Sequence, residues 1–205
     1  MRRTKEQAKE TRHAILQAAC ELFTEGDFSQ ITLNQIAERA GLTKGAIYWH
    51  FKNKNDILLR IIKELCRIDE REFFEALVMP DSAEDLSTLY KKVLVRPDSD
   101  IRYRIGHKLL REDYKWPEEV RAQANDIIGK SLVHEREMVE GFITRAQNSG
   151  RIRSDVPPEK VAVMITTLFN GLRTMQIAER LPEEFHGCLN FVFDSFTKEL
   201  APVRI

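Results

Sequence analysis

Two short segments, each opened by a threonine and separated by a single glycine, set the strictest limit on how this chain can fold. They are "ITLNQIAERAGL" and "LTKGAIYWHFKNK". In the first, Thr32 stands as an N-cap with Gln35 at the capping-box spacing, and Ile31 and Ile36 flank the start as a hydrophobic staple. In the second, Thr43 is the cap, and Leu42 and Ile47 form the staple. Gly41 ends the first helix and leaves room only for a tight turn, so the pair reads as a helix-turn-helix. Gly45 then poses a question, because a glycine inside a helix costs about 1 kcal/mol relative to alanine.

Around this pair the chain reads as helix throughout, with no polar–apolar alternation of the strand kind. "AILQAACELF" sets Ile15, Ala19, Leu22 and Phe23 on one stripe, and Gly26 stops that helix as a C-terminal cap. A fourth helix starts at Asn53, has Asp56 at its third position, carries Ile57, Ile61, Leu65 and Ile68, and runs toward Phe73. "MPDSAED" and "RPDSD" read as turns around a short helix near Leu86–Val95. Another helix covers about Ile101–Glu112. "WPEEV" opens a long one, with Pro117 in its first turn, that ends near Gly150. "SDVPPEK" and "LPEEF" open the last two, ending near Arg180 and Leu200. The expected fold is all-α, with about nine helices. A three-helix head occupies residues 1–53 and a larger helical domain residues 54–205, and the transition lies within the fourth helix.

Composition excludes more than it assigns. Of 205 residues 42% are apolar, enough for a real core, and 32 Lys/Arg balance 32 Asp/Glu. Residues 1–60 are mildly basic, with ten Lys/Arg against seven Asp/Glu. Cys20, Cys66 and Cys188 are too scattered for a zinc site or a disulfide framework. They read as buried structural thiols, with redox sensing as the alternative. The charged N-terminus is no signal peptide, and no apolar run spans a bilayer. The expectation is a soluble, cytoplasmic protein with no membrane partner, no metal and no cofactor.

On a wheel of 100° per residue, Ala46 and Ile47 point inward from the second short helix. Lys44, Gly45 and Tyr48 point outward together, with Trp49 at the edge. A helix that enters the major groove needs its first residues close to base edges, and a glycine lets the backbone approach. Lys44 can donate to a guanine edge or to phosphate. Thr43, Tyr48 and His50 can reach phosphate, Lys52 and Lys54 flank the groove, and the free N–H groups of the next helix attract an anion. The competing reading is an ordinary helical hairpin in which Gly45 eases packing and the aromatics are half-buried.

From Arg3 to about Leu59 the chain resembles the DNA-binding domain of TetR-family transcriptional repressors. The resemblance rests on "RRTKEQAKETRHAILQAACELF" and "TLNQIAERAGLTKGAIYWHFKNKNDIL". It is most similar to the branch that represses multidrug efflux pumps. The resemblance implies that Thr32, Thr43, Tyr48, His50 and Lys54 contact phosphate, and that Lys44 and Gly45 lie at base edges. Lys44 stands where arginine is frequent, and lysine lacks the planar fork. Arg2 and Arg3 form either an arm into a minor groove or a disordered terminus. The resemblance further implies a helical ligand-binding and dimerisation domain whose last two helices build a four-helix interface between two copies.

Both final helices are apolar around more than the stripe of roughly 100° that one core requires, which suggests a second face for a partner. Leu168, Gly171, Met175, Leu189, Phe193 and Phe196 are the interface candidates, against the alternative of a thick single-chain core. A pocket for a small apolar or amphipathic inducer draws on Phe73, Tyr90, His107, Trp116, His134, Met138, Met164, Phe169 and Asn170, each of which also reads as plain packing or surface. "HEREM" begins like a zinc-protease motif but lacks its second histidine, and no phosphate loop or GxSxG is present, so no catalysis is expected. The expectation is a homodimeric, ligand-released repressor on a palindromic double-stranded DNA operator. The alternatives are a ligand-independent regulator or activator, and a ligand or interaction module whose head is vestigial.

Overall fold

A computed structural model of the chain describes residues 5–78, 83–94, 101–177 and 185–202. The side chains of His107, Cys188 and Leu189 lie outside the described residues, as do Arg2 and Arg3. Nine α-helices are described: α1 Lys5–Glu25, α2 Leu33–Arg39, α3 Lys44–His50, α4 Lys54–Val78, α5 Ala83–Leu94, α6 Ile101–Arg111, α7 Glu118–Asn148, α8 Pro158–Ile177 and α9 Phe185–Leu200. A 3₁₀ turn, Asp113–Lys115, precedes α7. The fold is all-helical, with an N-terminal helix-turn-helix followed by a larger helical part. Among the described residues no helix is long and apolar enough to cross a membrane.

Local signals placed the short helices correctly. The Thr32 N–H donates to Gln35 Oε1 at 2.8 Å, and Thr32 Oγ1 accepts from the Gln35 N–H at 3.3 Å. Gly41 has φ +65°, and the N–H groups of Gly41 and Leu42 donate back to the Glu38 and Ala37 carbonyls. This is the glycine-dependent helix stop in which two orphan carbonyls find donors. Gly150 ends α7 in the same way. Gly26 follows the end of α1 as expected, its N–H donating to the Leu22 carbonyl, though with a φ outside the left-handed region.

Two compact units emerge: Met1–Cys66 with Pro97–Ile128, and Arg67–Arg96 with Gly129–Ile205. The passage from the first to the second falls inside α4. The first core gathers Ile15, Phe23, Ile36, Ile47, Phe51, Ile57 and Leu58 from the head, with Ile105 and Leu109 from α6 and Val120 from α7. Three lysines hold the turn between α1 and α2 against this body. Lys108 Nζ donates to the carbonyls of Thr24 and Gly26, Lys54 Nζ to those of Phe28 and Ser29, and Lys115 Nζ meets Asp27 Oδ2 at 3.0 Å.

In the second unit Tyr90 is fully buried among Phe73, Phe169 and Phe193, and α9 packs on α5 with a Lys91–Asp194 ion pair at 2.6 Å. The face expected to meet a partner needs correction here. Phe193 is buried and stacks on Tyr90 at 6.0 Å, so it serves its own core. Leu168 and Phe196 are half-buried, and Phe196 packs against the same core. Gly171 and Met175 are exposed, together with Val163, Met164 and Phe191.

Asp27 supplies a test of the clamp on the α1–α2 turn. The Ser29 backbone N–H, then the Lys115 ammonium and the Ser29 hydroxyl, hold its carboxyl down at about 2 from an ordinary 3.8. A depressed carboxylate contributes stability that is present above its unfolded pKa and lost as pH falls through the folded value. The melting-temperature gap between wild type and Asp27→Asn is therefore expected to be full well above pH 3.8, to shrink as the pH falls below it, and to vanish only below about 2. Thermal melts by circular dichroism across that window check this.

Candidate nucleic-acid interface

The site begins with a helix too short to stand alone. α3 has seven residues, whereas isolated helices shorter than roughly 12–15 are marginal in water. Three contacts fix it. Ile47 is fully buried in the first core, on the side where α3 packs against α2, Phe51 closes the C-terminal end in the same core, and Thr43 Oγ1 accepts from the Ala46 N–H at 3.2 Å. With the inner side locked, the outer side is determined.

That outer side matches the expected set in part. Lys44, Gly45, Tyr48 and Trp49 are all exposed, the two aromatics by 53% and 69%. Lys44 Nζ lies 5.8 Å from the centre of the Tyr48 ring, so cation and hydroxyl-bearing ring form one patch. His50 is half-buried, its ring 4.6 Å from that of Trp49. Thr32 and Thr43 stand exposed at the two helix starts, their hydroxyls already serving as caps. Lys52 is exposed beside them.

Gly45 answers the question its cost raised. Its φ is not left-handed, and a Cβ built there would meet only Thr43 Oγ1, at 3.8 Å. Nothing inside the protein requires glycine at this position. The missing side chain clears space on the outer surface, between Lys44 and Tyr48, where a flat partner could approach the backbone.

Lys54 is a correction. Its ammonium is turned inward, 2.5 Å from the Phe28 carbonyl and 4.5 Å from the Phe28 ring centre, and burial lowers its pKa. It braces the α1–α2 turn and is not presented to an anion. The start of α4 is also less open than expected. Asn53 Oδ1 accepts from the Asp56 N–H, and Asp56 Oδ2 accepts from the Lys52 N–H.

The expected pocket residues come together only in part. Trp116 is buried in the first unit's core. Phe73, Tyr90 and Phe169 are buried together in the second, with Met138 and Asn170 half-buried beside them. His134 and Met164 are exposed on the surface. Sequence reasoning missed Glu135, which accepts from the Tyr90 hydroxyl and the Asn170 amide, each at 3.4 Å. It also missed the clamp from Lys108 and Lys115. No local signal marks either, because both depend on distant partners. Cys20 is half-buried, and burial followed by the Glu21 charge pushes its thiol up to about 12, which removes thiolate reactivity near neutral pH.

Comparison with known proteins agrees with this geometry. The model of the tetR family of bacterial regulatory proteins matches residues 15–61, which contain α2, α3 and the start of α4. The HTH-type transcriptional repressor BepR of Brucella suis biovar 1 (strain 1330) is 30% identical over 174 residues, 83% of this chain and 82% of that protein. The HTH-type transcriptional regulator AcrR of Shigella flexneri is 50% identical over 60 residues, 29% of this chain and 28% of that protein. A crystal structure of NalD, the secondary repressor of the MexAB-OprM multidrug efflux pump in Pseudomonas aeruginosa, superposes with a TM-score of 0.72 at 26% identity. It covers 98% of this chain and 100% of that one.

The substitution Gly45→Ala separates folding from recognition. Alanine is expected to raise stability by about 0.5–1 kcal/mol, through helix propensity and a less flexible unfolded chain. It is expected at the same time to weaken binding to duplex DNA, because the new methyl stands between backbone and groove. Urea denaturation and a gel shift on the same preparation give the two signs.

Proposed function

Because this chain belongs to the TetR family of bacterial regulatory proteins, we propose that it is a homodimeric repressor that binds a palindromic DNA operator and is released by a small molecule. The observation that carries the DNA half is the outward patch of Lys44, Gly45, Tyr48 and Trp49 on a helix whose inner side is locked into the core. Thr32, Thr43, His50 and Lys52 surround it. Phosphate contacts from such residues fix register, and the few side chains at the start of α3 are left to read bases. Lys44 is the candidate for a guanine edge.

The dimer rests on the exposed face of the last two helices. Val163, Met164, Gly171 and Met175 are exposed on α8, and Phe191 on α9 is 75% exposed. A Cβ built at Gly171 would meet nothing within 4 Å, so this glycine too serves nothing inside the chain and leaves room for close approach. Two-fold pairing through this face gives an operator with two half-sites about 34 Å apart. The inducer binds within the second unit and acts through α4, which runs without a break from the head into that unit. A coupling of about 1–3 kcal/mol suffices to release both heads. NalD and BepR, named as repressors, support repression over activation, and NalD supports an efflux-pump gene as the target.

Selection of bound sequences from a random duplex pool tests the whole reading, with an imperfect palindrome as the expected product. On that operator Lys44→Ala is expected to cost about 1–3 kcal/mol per head and to relax preference at one base position. Tyr48→Phe, which removes only a hydroxyl, is expected to cost about 0.5–1.5 kcal/mol without changing preference. Unchanged affinity in both variants overturns the assignment of α3.

The dimer has its own check. Met164→Glu places a carboxylate on the exposed apolar face and is expected to yield monomers in sedimentation equilibrium, with operator affinity down about tenfold or more. A Met164→Glu protein that remains dimeric rejects this face.

A further inference from the structure

Lys44 is a cation that the chain holds without neutralising. Several other cations of the first unit have partners that use their charge. Arg39 is paired with Glu21 and Glu25, and Lys115 with Asp27. Lys54 and Lys108 donate to turn carbonyls. Among the described residues Lys44 has no ion pair and no side-chain hydrogen bond. Its ammonium lies instead over the Tyr48 ring, 5.8 Å from the centre. No Asp or Glu stands between Glu38 and Asp56 in the chain.

The pairing follows from helix geometry. Residues four apart share a face, and helical side chains lean toward the N-terminal end. The Tyr48 ring is thereby carried over the turn that bears Lys44. Both side chains are exposed, Tyr48 by 53%, so neither is placed by the core. The ammonium falls within the about 6 Å at which a ring face attracts a cation. A carboxylate in that position would orient the ammonium and cancel its charge together. A ring orients it and leaves the charge whole.

We propose that Tyr48 is a positioning residue: its ring, separately from its hydroxyl, holds the Lys44 ammonium at one place in the groove and so gives that lysine its base preference. This rests on the reading that Lys44 meets a base edge. Lysine carries a point charge on a flexible stem and has no planar fork. Left free, it reaches phosphates and neighbouring acceptors alike, and a phosphate contact adds affinity without choosing a base. The ring removes that freedom before DNA arrives, so less order is lost on binding. The Tyr48 hydroxyl stays available to a phosphate, and one side chain then serves both affinity and preference.

The full-length protein is titrated against the operator recovered by selection and its three single-base variants at the position where Lys44→Ala relaxes preference. Tyr48→Phe keeps the ring and is expected to keep the wild-type preference. Tyr48→Leu keeps apolar bulk, loses the ring, and is expected to lower preference at that base about two- to fivefold, the size of an exposed cation–ring contact. Pentafluorophenylalanine at position 48 keeps the ring shape and inverts its charge distribution, and is expected to behave as Tyr48→Leu does. In a Lys44→Ala background the difference between Tyr48→Phe and Tyr48→Leu at that base is expected to disappear. Melting temperatures are expected to stay level, because the side chain is exposed.

Proton spectra of the DNA-free protein check the contact itself. The Lys44 ε-methylene signals are expected upfield in wild type and Tyr48→Phe, and at the usual lysine position in Tyr48→Leu. Unshifted signals in the wild type overturn the proposal, as does full preference in Tyr48→Leu or in the pentafluoro variant. Preference that relaxes in Lys44→Ala but not in Tyr48→Leu sinks the positioning role alone. Preference unchanged in Lys44→Ala sinks the base-reading assignment of Lys44, and the positioning role with it.

Discussion

The burial of Ile47 in the core where α3 meets α2 is the contact on which the outward patch of α3 depends. α3 has seven residues, includes a glycine that costs about 1 kcal/mol, and gains roughly that much from its threonine cap. Local terms alone therefore come out near zero. Burying an isoleucine side chain adds about 1.5–3 kcal/mol, and Phe51 contributes more at the other end. The helix exists because its inner edge is held, and the same contacts fix the direction of Lys44 and Tyr48. A recognition helix stabilised this way can present almost any outward residue, since none of them is needed for folding.

The second support is the clamp on the α1–α2 turn. Three lysines, from α4, α6 and the 3₁₀ turn, donate to the carbonyls of residues 24, 26, 28 and 29 and to Asp27. Turn carbonyls left without donors would be costly where they face a protein interior. Ammonium groups on long stems can reach them from several directions. The result makes α6 part of the head's own body, so the compact unit that bears α3 extends well beyond the first three helices. It also explains why Lys54 is lost as a phosphate ligand, since the turn uses its charge.

What was legible in the sequence was what is decided within a few residues. The Thr32–Gln35 box, the Thr43 cap, the Gly41 stop and the inward turn of Ile47 all follow from spacing and backbone geometry, and each stands as read. Lys54, Trp116, Phe193 and Glu135 were not legible in this way. Each has a side chain whose destination is set by residues 25 or more positions away, or by which of two apolar sides of a helix meets its own core. A helix apolar on both sides announces that two surfaces are covered, but periodicity does not label them. Phe193 therefore turned out to face Tyr90, and Phe191 to face outward.

Departures from local rules divide cleanly into two kinds. Gly41 and Gly150 break helical propensity, but the chain itself uses the break, because a left-handed residue lets the last carbonyls find donors. Gly45, the exposed Tyr48 and Trp49 and the bare Gly171 break rules with no internal gain. A sequence consistent at every level would have alanine at Gly45. On the proposed function, each uncompensated position is one where something outside the chain would supply the missing interaction: a duplex backbone at α3 and a second copy at α8. The proposed functional surfaces are thus places where the fold, taken alone, is less stable than it could be.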